Sequence, residues 1–210
     1  MNKLIQLILL VTLSAASFSV NANLVQRDLN GSSDGLITFD TSSSLEWLDL
    51  KETLGLSFNS ILSGYGGYIN SNLNSFRFAT ESEFSALLNS AGISNGVAYN
   101  TNSYESAVSL MALVGCGAQC NTPYPYSEGW IYSDTGGPAT RAYIQHNTES
   151  LIAGGRSYGG SGDPQIGEIW TGSWLVRSVT AVPELDTSAM LLMGAGVMGF
   201  MARRRKQAAA

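Results

Sequence analysis

Two cysteines four residues apart, Cys116 and Cys120, a lone histidine, His146, and the glycine-flanked serine of Gly155-Arg156-Ser157-Tyr158-Gly159 carry the side chains best suited to nucleophilic, acid-base or metal chemistry. A tetrahedral metal site takes four nitrogen or sulfur ligands, and His146 has no second histidine or cysteine pair to join. The serine pentapeptide matches a nucleophile elbow, which requires a strand before the serine, a helix after it, and the chain order serine, acid, histidine. Here Gly159, Gly160, Gly162 and Pro164 cannot continue as a helix and His146 precedes Ser157, so the pentapeptide reads as a glycine-rich loop. No catalytic residue is expected. For Cys116 and Cys120 the simplest chemistry is a local disulfide; free thiols and a metal or redox pair are the alternatives.

Two weaker patterns concern binding. Asn30, Ser32 and Asp34 place oxygen side chains at alternating positions before Gly35, with Asp28 and Asp40 close by. That is the outline of a calcium loop, but its twelfth position is Thr41 instead of a bidentate glutamate. A β-turn is the favoured reading, calcium is a weak candidate, and no other cofactor or metal is expected. Tyr124, Tyr126, Trp130 and Tyr132 gather around Pro123 and Pro125. Aromatic side chains in such density either build a core or, where one face meets water, stack on sugar rings.

The two ends of the chain carry an address. Residues 1–22 open with Lys3, continue through an apolar block from Leu4 to Leu13, and end Val20-Asn21-Ala22. The block is too short to span a bilayer and the small residues suit signal peptidase, so 1–22 reads as a signal peptide cleaved after Ala22. At the other end, residues 187–202 are uncharged and apolar, about 24 Å long as a helix, and stop at Arg203, Arg204, Arg205 and Lys206. A basic end of this kind holds on the cytoplasmic face of the inner membrane and leaves the preceding domain outside. Just upstream, Pro183 cannot continue a helix and biases Val182 to an extended form, presenting Val182-Pro183-Glu184 as an accessible strand.

The order Val-Pro-Glu, short apolar helix and arginine cluster over 182–206 resembles the PEP-CTERM sorting signal of Gram-negative bacteria, although Leu185 stands where that family usually has a second proline. The resemblance implies an exosortase partner, processing near Pro183 and Glu184, and a cell-surface or extracellular destination.

Composition agrees with export. Charged residues make up 13% of the chain, against roughly a quarter in average soluble proteins, while Ser, Thr and Asn fill 47 of the 160 positions from 23 to 182. That segment holds 14 Asp and Glu against six Lys and Arg, a net charge of −8. Nucleic-acid binding is excluded, since it needs a basic face from which counterions are released.

The domain between the two signals, 23–181, reads as α+β. LITFD and LEWLDL flank the polar tetrapeptide 41–44 as a hairpin, and Ser57–Leu62 suits a short helix. Phe76–Ala79 suits a short strand. Thr80 and Glu83 form a capping box ahead of Phe84, Leu87, Leu88 and Ala91 on one helical face. A second main helix is expected over 104–114, with Ala107, Val108, Met111, Ala112 and Val114 on its apolar stripe and Gly115 as its stop. Strands then follow at 129–132, 141–144, 168–170 and 173–177. In this order, Trp47, Arg77, Thr80, Glu83 and Arg177 resemble the Lcl-type C-terminal domains, which are C-type-lectin-like and related to formylglycine-generating enzymes. The resemblance implies a lectin-like mixed domain with antiparallel strands and two helices, closed by a Val-Arg strand beside the tryptophan strand.

Together these features point to a non-enzymatic exported protein of the cell surface or matrix, associated with extracellular polysaccharide or biofilm. A membrane-anchored periplasmic ligand- or glycan-binding module is the alternative. A formylglycine-generating-type enzyme would need a reactive cysteine or a copper-binding pair.

Overall fold

The polar tetrapeptide Thr41–Ser44 reverses the chain because Asp40 organises it: its carboxylate accepts from the Ser42 amide at 2.9 Å and the Ser43 hydroxyl at 2.8 Å. The flanking strands β2 (Ile37–Asp40) and β3 (Leu45–Leu48) pair antiparallel, Ile37 opposite Leu48 and Asp40 opposite Leu45. In the computed structural model the described residues are 23–30, 33–69, 75–93, 100–117, 120–134, 139–158 and 162–179. The signal segment 1–22, Ser32, and the sorting tail with Val182, Pro183, Glu184, helix 187–202 and Arg203–Lys206 lie outside them. Among the described residues no helix is long and apolar enough to cross a membrane.

A strand absent from the sequence expectation, β1 (Leu24–Arg27), adds to the free side of β2. β4 (Arg77–Phe78) and β9 (Leu175–Ser178) pair antiparallel, and β9 lies beside β3, so the first sheet runs β1-β2-β3-β9-β4. The second sheet contains β5 (Tyr126–Ile131), β6 (Thr140–Asn147), β7 (Ile152–Tyr158) and β8 (Thr171–Ser173), in the order β7-β6-β5-β8. Its strands are antiparallel except for β8, which runs parallel to β5.

Three helices complete this mixed α+β domain, one more than the two of the lectin-like expectation: α1 (Phe58–Leu62), α2 (Glu81–Ser90) and α3 (Tyr104–Val114). The capping box forms as the sequence predicts. The Thr80 hydroxyl accepts from the Glu83 amide at 3.2 Å, and the Glu83 carboxylate accepts from the Thr80 amide at 2.9 Å. Arg77 adds a two-pronged ion pair to Glu83, at 2.8 and 2.5 Å. Burial opposes charge on that carboxylate, but Arg77 and the Thr80 amide outweigh it and hold Glu83 below the usual range. Ser57 caps α1 by accepting from the Ser60 amide at 3.1 Å. α3 ends at Gly115, whose φ of 84° favours glycine.

Three expectations are corrected. The buried stripe of α3 is Ala107, Leu110, Met111 and Val114; Ala112 is exposed and Val108 only half-buried, because a stripe advancing by three and four residues passes through position 110. Residues 168–170 form a turn with Ile169 and Trp170 exposed, since the chain must bend there to bring β8 in parallel to β5. The supposed glycine-rich loop at 155–158 is strand. Gly155 is small because a side chain there would meet Leu88 of α2 at 2.9 Å and the Tyr143 carbonyl at 3.0 Å.

Two apolar clusters follow. One gathers α2, α3, Trp47, Trp174 and the inward residues Ile131, Ala142, Ile144 and Ala153 of the second sheet. The other places Phe58 and Ile61 of α1 with Ile37, Leu48, Phe78, Leu175 and Trp130. The indole of Trp174 is satisfied by the Ala142 carbonyl at 2.9 Å.

Candidate functional site

Strand alternation gives the second sheet two unlike faces. Ser127, Ile131, Ala142, Ile144, His146 and Ala153 turn inward and are buried, while Tyr126, Glu128, Tyr143, Gln145, Arg156 and Tyr158 stay half-exposed on the outer side. Register brings the outer set together: Tyr126 lies opposite Gln145, Glu128 opposite Tyr143, and Tyr143 opposite Arg156. Tyr126, Glu128, Tyr143, Gln145 and Tyr158 line a hollow of about 250 Å³.

Its polar floor is a connected network. Arg141 donates through Nη1 to Glu128 and to Glu168, both at 3.0 Å, and through Nη2 to Glu168 at 2.5 Å. Glu128 also accepts from the Tyr158 hydroxyl at 3.0 Å and the Thr171 hydroxyl at 3.2 Å. The guanidinium of Arg141 lies 4.5 Å from the Trp130 ring centre. Arg156 donates to the Tyr143 hydroxyl at 3.1 Å. Burial alone would lower the Arg141 pKa, but Glu168 and Glu128 outweigh it and raise it. The Arg141 hydrogen bond in turn holds Glu168 below its ordinary value. Burial, reinforced by Glu128, pushes the Tyr158 phenol up to about 12. Burial and then the charges of Glu128 and Glu168 raise Tyr126.

A second hollow, of about 210 Å³, is lined by Tyr124, Gln145, His146, Asn147 and Ile152, and so shares Gln145 with the first. His146 is 8% exposed, its Nδ1 has no hydrogen-bond partner among the described residues, and the Tyr104 ring meets it edge-on at 5.3 Å. Burial lowers its pKa.

The sequence-derived aromatic cluster divides. Tyr124 is 45% exposed and Tyr126 half-exposed, but Trp130 is fully buried and Tyr132 packs edge-on against Phe58 and Phe78, at 5.4 and 5.6 Å. Trp130 and Tyr132 therefore belong to the second core cluster and not to a sugar-facing rim. Tyr143, Gln145, Tyr158 and Glu128 were missed because they join only when three strands pair; the one signal in the sequence is a tyrosine in each of them.

Of the calcium candidates, Asp34 holds a turn and Ser32 lies outside the described residues. Asp34 accepts from the Leu29 and Leu36 amides at 3.0 and 3.2 Å, Asp28 accepts from the Gly35 amide at 2.9 Å, and Asn30 is exposed. Among the described residues no three His, Cys, Asp or Glu side chains gather to hold a metal ion. Cys116 and Cys120 form a disulfide, Cα to Cα 5.9 Å, whose Cys116 sulfur lies 3.8 Å from the Tyr126 carbonyl. Ser157 sits opposite Ala142 and His146 opposite Ala153, four rungs apart along the strands. At about 3.3 Å per residue that is roughly 13 Å, too far for a nucleophile and its base.

Residues 181–206 match the PEP-CTERM protein-sorting motif. The chain carries an exosortase sorting signal. The matched stretch includes Val182-Pro183-Glu184 and the basic run Arg203–Lys206. Proteins with this motif are exported, processed by an exosortase and sorted to the cell surface. Among curated proteins and among solved structures, nothing matches the chain.

Proposed function

We propose that this is a non-enzymatic protein of the cell surface or extracellular matrix, delivered by the exosortase system, whose domain associates with exopolysaccharide through the outer face of its second sheet. The observation that carries this reading is a tyrosine-lined polar hollow on a domain bearing a sorting motif. Tyrosine rings offer an apolar face to the C–H side of a sugar and a hydroxyl to its edge. The similarity of Trp47, Arg77, Thr80, Glu83 and Arg177 to lectin-like domains supports it, with Arg77 gripping Glu83 and the Val176-Arg177 strand lying beside the Trp47 strand.

A non-catalytic role is supported by the engagement of both cysteines in the disulfide and by the separation of Ser157 from His146. The test is to block polysaccharide synthesis in the producing cells and follow where the protein goes. It should move from the matrix to the culture medium; an unchanged partition between the two would overturn the association.

A further inference from the structure

The geometry points to a neutral, polyhydroxylated polymer as the ligand of the Tyr126–Glu128–Tyr143–Gln145–Tyr158 hollow: a pyranose chain without carboxylates or sulfates, long enough to reach into the adjoining hollow beside Tyr124. This rests on the polysaccharide reading above and narrows it to one chemical class.

Charge balance carries the argument. An anionic chain needs a cation free to meet it, and Arg141 is the cation nearest the floor. Both of its terminal nitrogens are taken, by Glu128 and Glu168, and it is 8% exposed. The other cation of this face, Arg156, lies outside the lining of the hollow and donates through Nε to the Tyr143 hydroxyl at 3.1 Å. Two arginines and two glutamates leave the face with no net charge, inside a segment whose net charge is −8. A uronate or sulfated chain would meet repulsion at long range and no arginine on the lining of the hollow itself.

A cationic ligand is disfavoured as well. Glu128, the acid on the hollow's lining, already receives Arg141, Tyr158 and Thr171. What remains is a surface of ring faces and hydrogen-bonding tips without spare charge. The Tyr158 hydroxyl donates inward to Glu128, which turns its oxygen into an acceptor toward a ligand hydroxyl.

Size and continuity argue for a polymer. A hollow of about 250 Å³ lies below the roughly 300–1,000 Å³ of pockets that enclose a drug-sized molecule. It suits one ring of a chain whose neighbours continue outside. The second hollow shares Gln145 and adds the exposed ring of Tyr124, extending the track toward the end of β6 and the start of β7.

The test uses the protein purified from its producing cells and the matrix polysaccharide of the same cells, split by anion exchange into neutral and acidic fractions. The neutral fraction should bind, with affinity nearly independent of salt and increasing with chain length after partial hydrolysis. Tyr126→Ala and Tyr158→Ala should each weaken that binding at least tenfold, while Tyr65→Ala, which removes an exposed ring lining neither hollow, should leave it unchanged. Tyr158→Phe keeps the ring and guards against misfolding; it should weaken binding less than Tyr158→Ala does. Tighter, salt-sensitive binding of the acidic fraction would overturn the neutral-ligand inference while preserving the polysaccharide reading. Neutral binding untouched by Tyr126→Ala and Tyr158→Ala would overturn the site. Failure of both fractions to bind would overturn the polysaccharide reading itself.

Discussion

The hydroxyl of Tyr158 and the carboxylate of Glu128, 30 positions apart in the chain, meet at 3.0 Å on the outer face of the second sheet. Glu128, on β5, is thereby tied to the other three strands of its sheet, through Arg141 on β6, Tyr158 on β7 and Thr171 on β8. Arg141→Met would leave Glu128 and Glu168 without their cation. A fully buried pair broken in this way costs about 3–5 kcal/mol. Because the Glu168 side chain is 39% exposed, about 2–3 kcal/mol is expected here. Thermal unfolding should show Tm lower by about 5–10 °C. Tyr158→Phe should cost about 1 kcal/mol. Equal losses in the two variants would contradict the central place of Arg141.

The parts of this arrangement legible in the sequence were those with local causes. The hairpin around 41–44, the capping box at Thr80 and Glu83, and the helix stop at Gly115 each depend on residues within a few positions of one another. The outer sheet face was not legible, since Tyr126, Tyr143 and Tyr158 become neighbours only through strand register. Trp130 takes the core alternative for a related reason. Its place in the strand gives it the same outward alternation as Tyr126, but α1 and Arg141 cover that end of the sheet. The strand through Gly155 was hidden because this glycine, which resembles a loop residue, is needed for the approach of Leu88.

That close approach is itself testable. Gly155→Ala should destabilise the domain by about 1–3 kcal/mol through overpacking against Leu88 and the Tyr143 carbonyl. Ser157→Ala should leave both stability and polysaccharide association near wild type. Loss of a hydrolytic activity in the Ser157 variant would restore the nucleophile-elbow reading.

His146 gives the domain a pH dependence with a definite sign. Burial holds its folded pKa below the ordinary 6.5, so the fold favours the neutral ring. The stability this contributes is complete above the unfolded value and is lost as pH falls from there through the folded pKa. Urea midpoints recorded from pH 7.5 to pH 5 should therefore decline for the wild type and decline less for His146→Gln. Parallel curves would remove His146 as the cause.

The disulfide closes a short loop beside Tyr126 and Trp170. Its removal in the double variant Cys116→Ser, Cys120→Ser should cost about 2 kcal/mol in the chain-entropy account. The Trp170 carbonyl lies 3.2 Å from where a side chain on Gly117 would begin, so the turn bearing Trp170 rests on the stapled segment. Tryptophan fluorescence of the 49% exposed Trp170 should shift in that variant. The Trp170→Phe background supplies the control, and a shift that persists there would place the change elsewhere.

Processing near Pro183 and Glu184, where the sequence resemblance places it, would fall beyond Ser178, the last residue of β9, and would leave the strand between β3 and β4 with the exported domain. The most direct test of the account is the intact mass of the protein recovered from cells with and without the exosortase. A chain beginning at Asn23 and ending near Glu184 only when the enzyme is present is the predicted result. A chain retaining its tail through Ala210 in both strains would contradict exosortase sorting and leave a membrane-anchored periplasmic domain in its place.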